Sequence, residues 1–104
     1  MGDYYILDGH DVRPVPDVVT WAKWFEAHDR RVAFDMVGDG DARVEISTVF
    51  LGIDHNFGVG RVPILFETMV FGGPEDGYCD RYATWDEAVV GHAAAVVLAT
   101  AIPD

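Results

Sequence analysis

Apolar and polar residues follow two periods along the chain, and these divide it into short strands and two helices. Tyr4-Tyr5-Ile6-Leu7 reads as a strand closed by the turn-prone pair Asp8-Gly9. Arg13-Pro14-Val15-Pro16 is extended, because each proline biases its predecessor away from helix. Pro16 and Asp17 open a helix from about Asp17 to about His28, with Val18, Trp21, Ala22 and Phe25 on one stripe. Arg31 to Val37 alternates, with Val32, Phe34 and Met36 on one face and Arg31, Ala33 and Asp35 on the other. Gly38-Asp39-Gly40-Asp41 turns this strand into a hairpin whose partner sends Val44, Ile46, Thr48 and Phe50 inward. Gly52 to Pro63 is a loop, and Ile64 to Phe71 is a further strand, apolar on both faces. After an acidic loop, Thr84 and Glu87 frame a capping box. Trp85, Ala88, Val89, His92, Val96 and Ala99 form the core stripe of the second helix.

The resulting order is β-α-β-β-β-α, a two-layer α+β fold with an antiparallel sheet, in one compact domain over residues 1–104. The second helix has no charge from His92 to Ile102, and Ala94, Val97 and Leu98 lie opposite its core stripe. That run is too short to span a bilayer. A helix that is apolar all round is buried on two sides, so a homodimer is expected through Ala94, Val97 and Leu98. The α-β-β-β-α portion resembles the element order of double-stranded RNA-binding domains, but the charge excludes that function.

Eighteen acidic residues stand against seven basic ones, for a net charge of −11. Such a chain repels a nucleic-acid backbone, so no direct nucleic-acid partner is expected. At 50% hydrophobic residues there is enough apolar surface to offset chain entropy. Lys23 is the only lysine and thirteen acids are Asp, a usage found in high-GC genomes and in halophiles. The single cysteine, Cys79, forms no internal disulfide. Met1-Gly2-Asp3-Tyr4-Tyr5 has no basic stretch of the secretory type, so a cytoplasmic location is expected.

Two segments concentrate imidazole and carboxylate: Asp8-Gly9-His10-Asp11, and Asp54-His55-Asn56 in the long loop. Glu67 adds a lone acid among Leu65, Met69 and Phe71. Such groups suit Zn²⁺ or a non-haem metal, and His55 with Asp54 or Glu67 makes a general base with its orienting acid. His10, Asp54, His55 and Glu67 are therefore the candidate catalytic residues of a small metal-assisted hydrolase. Against this, the chain has no HExxH or other fixed metal spacing. Asp and His also cap turns beside glycine, and Glu67 has Arg43 or Arg61 as cross-strand partners. The expectation is turn capping, with neither metal nor cofactor. His92, central on its stripe, is a core histidine with a satisfied hydrogen bond. Cys79 is an inert thiol, because Arg81 is the only basic residue near it in sequence. Gly58-Val59-Gly60-Arg61 and Gly72-Gly73-Pro74 lack the lysine and Ser/Thr of a phosphate loop and read as turns. Trp24, at the edge of its stripe, is a candidate contact residue. The acids gather as Asp35/Asp39/Asp41/Glu45, Glu75/Asp76/Asp80 and Asp86/Glu87. They serve solubility and capping, or else stand in for phosphates in a basic groove of another protein. Asp39, Asp41, Glu45, Trp24, Asp54 and His55 are the candidate binding residues.

Four strings carry a resemblance. They are Tyr4-Tyr5-Ile6-Leu7-Asp8-Gly9-His10, the run Thr48 to Phe57, the run Leu65 to Phe71, and Arg81 to Ala88 followed by Gly91-His92. Together they resemble small bacteriophage and prophage proteins of no established function. The resemblance brings no activity. It implies a phage context, in which small acidic proteins bind and disable host factors. The expected role is a non-enzymatic accessory protein that occupies a protein partner in the bacterial host cytoplasm.

Overall fold

The computed structural model describes residues 4–56 and 62–101. Met1-Gly2-Asp3, the glycine run Gly58-Val59-Gly60-Arg61 and the end of the apolar run at Ile102 lie outside them. In chain order the elements are β1 (Tyr5–Asp8), β2 (Asp11–Pro14), α1 (Val18–Ala27) and β3 (Arg31–Val37). A 3-10 turn at Gly40–Ala42 follows, then β4 (Val44–Phe50), β5 (Phe66–Phe71), β6 (Cys79–Tyr82) and α2 (Trp85–Thr100). Strands β3-β4-β5-β6 make one antiparallel sheet, and β1-β2 make a separate hairpin. The domain is α+β, as the hydrophobic pattern implies.

Two strands exceed the expected order. The proline-bounded segment β2 folds back on β1 through a turn at Gly9, whose φ of 64° suits glycine. Strand β6 lies in the stretch that reads as an acidic loop. Its four residues are too few and too polar for alternation to show. Pairing Tyr82 to Phe66 and Arg81 to Glu67 seats it on the sheet.

The alternation of β4 and β5 puts Ile46, Thr48 and Phe50 beside Phe66, Thr68 and Val70 on one face, and all six are buried. Helix α2 crosses that face with Ala88, His92 and Ala95 buried against it. Small residues let the helix sit close, and a Cβ on Gly91 would overlap the Tyr82 ring. Phe50, Leu65, Phe66 and Ala88 form one core cluster, joined by Leu7, Val12, Trp24 and Trp85. Ile46, Val70 and Ala95 form a second, joined by Val44, Tyr78, Val96 and Ala99. The stripe of α2 is rotated from the expected one: Ala95 is inside, whereas Val89 is exposed.

Both helix starts are capped by side chains. Asp17 accepts from Thr20 N–H at 2.8 Å and Thr20 Oγ1 at 2.9 Å, and these bonds hold its carboxyl below the ordinary carboxylate value. The capping box forms, with Glu87 N–H donating to Thr84 Oγ1 at 3.1 Å and Thr84 N–H to Glu87 Oε1 at 3.3 Å. Helix α1 has no fully buried residue. It leans on the core through Trp24, edge-on to Phe50 at 5.8 Å, and through Trp21 and Phe25 closing over Gly52.

Strand β3 departs from simple alternation. A bulge between Arg31 and Ala33 moves the register, so Arg31 opposes Val49 while Ala33 opposes Thr48. Ala33 and Asp35, in the register set by the β3–β4 hairpin, share the α2 face with Thr48 and Ile46. Arg31 joins Phe34 and Met36 on the outer face, across from Val49, Ser47 and Glu45.

Candidate functional site

Five polar side chains meet between the sheet and α2. His92 Nε2 lies 2.7 Å from Asp35 Oδ2, and His92 Nδ1 lies 2.7 Å from Thr48 Oγ1. The Thr48 and Thr68 hydroxyls bond to each other, and Tyr82 Oη–H donates to Thr68 Oγ1 at 3.2 Å. One direction of donation satisfies every proton: Tyr82 to Thr68, Thr68 to Thr48, Thr48 to His92 Nδ1, and His92 Nε2–H to Asp35. Burial pushes the Tyr82 phenol up, which keeps its hydroxyl a donor. Carboxylate, imidazole and hydroxyl in this order match the orientation of a nucleophilic triad. Thr48 has no solvent exposure, however, so the hydroxyl that would attack meets only protein. The chain of bonds fastens α2 to β3, β4, β5 and β6. His92 is the core histidine expected, with two bonds rather than one. Local sequence does not pair it with Asp35, Thr68 or Tyr82, although an inward threonine such as Thr48 on a core strand signals the need for a partner.

The four residues of the hydrolase reading are each engaged separately. Asp54 Oδ1 accepts from Asn56 N–H at 2.8 Å and Ile64 N–H at 2.9 Å, closing the loop. His55 Nδ1 lies 2.7 Å from Ile53 O. His10 stacks on Trp85, ring centroids 3.9 Å apart. Glu67 pairs with Arg81 at 2.9 Å rather than with Arg43, which pairs with Glu45 at 3.1 Å. Among the described residues no group of three or more His, Cys, Asp and Glu is placed to hold a metal ion. Glu67 also accepts from Cys79 Sγ–H at 3.5 Å. Partial burial first, and then the Glu67 carboxylate, raise the Cys79 thiol above its ordinary value.

A shallow cleft of about 470 Å³ lies between the β1–β2 turn and the start of α2. Tyr5, Val12, Leu65 and Trp85 give it apolar walls, and Asp11 and Asp86 add carboxylates. No family model, curated protein or solved structure matches the chain. The described residues include no helix long and apolar enough to cross a membrane.

The opposite end of the domain holds two acidic turns and the uncharged end of α2. The β3–β4 turn carries Asp39 and Asp41, and the β5–β6 turn carries Glu75 and Asp76. These turns touch, since a Cβ on Gly72 would run into Arg43 O and one on Gly73 into the Val44 side chain. Asp76 holds its turn by accepting from Gly72 N–H at 2.7 Å. Leu98, Ala99 and Ala101 of the α2 end line a hollow with Pro74 and Glu75. Further along the helix, Val90 and Val97 are 71% and 70% exposed, and Ala94 is exposed beside them. Trp24, Asp54 and His55 are elsewhere, in α1 and the connection after β4.

Proposed function

We propose that this chain is a non-enzymatic, phage-type accessory protein that acts by occupying a protein partner, as an acidic stand-in for nucleic acid, in the cytoplasm of a bacterial host. The observation that carries this reading is the gathering of two acidic turns and the uncharged α2 end at one end of the fold. Carboxylates of Asp39, Asp41 and Glu75 steer the domain toward a basic groove, and Ala94, Val97 and Leu98 supply apolar contact once it is there. Glu45 has a smaller share, because Arg43 already neutralises it.

The test is capture from bacterial lysate with the wild-type chain, followed by binding of the purified partner to variants. Binding should weaken as salt rises, since exposed charges are screened over about 8 Å at physiological ionic strength. DNA or RNA should compete for the partner. The double change Asp41→Lys with Glu75→Lys should abolish steering, and Val97→Asp should speed dissociation. Normal binding by the double variant at both low and high salt would refute the acidic part of the reading.

A further inference from the structure

Strand β3 is an edge of the four-stranded sheet, and its backbone is open there. Phe50 N–H donates to Arg30 O, and Leu51 N–H to Leu65 O. Phe50, Thr48 and Ile46 therefore turn their peptide groups toward β3. Their opposites on β3, Ala33 and Asp35, use N–H and C=O on β4. Phe34 and Met36 aim theirs away from the sheet. Their side chains are 37% and 53% exposed. A row of unpaired peptide groups on an edge is a template for another strand.

The residues along this edge are complementary to themselves. With β3 run antiparallel to a copy of itself and a two-fold axis at Phe34, Phe34 opposes Phe34, an aromatic cross-strand pair. Ala33 then opposes Asp35, and within β3 no like charges face each other. Centring the axis on Asp35 instead sets two carboxylates face to face, which disfavours that register. The bulge keeps Arg31 on the outer face, so in the favoured register Arg30 and Arg31 at the start of each β3 lie beside the end of the other copy's strand, on the approach to its Asp39.

The arginines show the same need. Arg13, Arg43 and Arg81 have carboxylates within their own chain at 2.9, 3.1 and 2.9 Å. Among the described residues Arg30 and Arg31 have none, and their guanidinium groups lie over the rings of Phe25 at 3.7 Å and Phe34 at 4.4 Å. Two adjacent arginines left without a carboxylate are notable in a chain with 18 acids. Asp39 and Asp41 likewise have no side-chain partner among the described residues. Those acids on a second copy complete both sets.

We infer that two copies of this chain pair edge to edge through β3, about a two-fold axis at Phe34, and extend the sheet to eight strands. The inference stands apart from the proposed partner, because its test uses the purified chain alone.

Sedimentation velocity should show a reversible dimer between about 10 μM and about 1 mM, the span of weak dimers. Phe34→Lys sets two ammonium groups against each other on the axis and should weaken the dimer at least tenfold. Arg31→Glu should weaken it severalfold, and adding Asp39→Arg should restore it. Amide exchange of the wild type gives a reading that needs no variant to fold: Phe34 and Met36 N–H should slow as concentration rises. A monomer throughout the range would overturn the inference. So would a dimer whose Phe34 and Met36 amides exchange as fast as in dilute solution, or one that Val97→Asp dissolves and Phe34→Lys leaves intact.

Discussion

Replacing His92 with alanine removes the link through which α2 holds the sheet. The side chain is buried and makes bonds of 2.7 Å to Thr48 and to Asp35. Each lost bond costs about 1 kcal/mol net, and the Asp35 bond lies at the low end because that carboxylate returns to water. Thr48 still accepts from Thr68, but its own O–H loses its acceptor, so that bond carries its full share of the loss. Deleting the ring from a close-packed layer adds about 2 kcal/mol, the lower range for large-to-small core changes. Alanine recovers about 0.5 kcal/mol of helix propensity. The net loss is about 3 kcal/mol, a large part of the roughly 5–15 kcal/mol that stabilises a natural domain. For a chain of this length it corresponds to a fall in Tm of about 15 °C. Urea denaturation followed by far-UV circular dichroism reads it as a shifted midpoint at unchanged m. The control Asp35→Asn keeps an acceptor oxygen at an exposed edge and should cost about 1 kcal/mol or less. A His92→Ala loss below about 1 kcal/mol, or an Asp35→Asn loss equal to it, would refute the account of a five-residue link.

Two further outcomes follow from packing and charge. Gly91→Ala gains about 1 kcal/mol of helix propensity but drives a methyl into the Tyr82 ring, and overpacking with loss of the Tyr82–Thr68 bond should outweigh that gain by about 2 kcal/mol. A stabilised Gly91→Ala protein in the same urea assay would show that the helix has room to move. The Cys79 thiol should react with iodoacetamide more slowly than a free cysteine at pH 8.5, because partial burial and the Glu67 carboxylate both disfavour the thiolate. Glu67→Gln should speed that reaction, and equal rates in the two proteins would remove Glu67 as a cause.

Much of this domain is written in local sequence. The period of two in β4, the span of α1, the Gly38 turn and the Thr84–Glu87 box each act over a few residues, and each appears where the pattern puts it. In α1, however, Val18 of the expected stripe is exposed and Trp24 packs on the core instead. His92 reads as a core histidine because its neighbours at helical spacing are apolar. The acidic clusters are equally legible. Tertiary structure decided the rest, and the reason is register. Asp35 and His92 are 57 positions apart, and Thr48 and His92 are 44 apart; no local period relates them. Asp35 meets His92 because the β3–β4 hairpin register that pairs it with Ile46 turns it to the α2 face, and a slip of one residue would have sent it outward. Strand β6 exists because β5 offers an edge to Cys79–Tyr82, not because those four residues prefer a strand. In the same way, the turns that carry Asp39 and Glu75 come to one end only after β4 and β5 have paired. Periodicity and turn chemistry select the elements. Long-range pairing, whose closure entropy is met only by burial of the whole sheet, selects which of their residues meet.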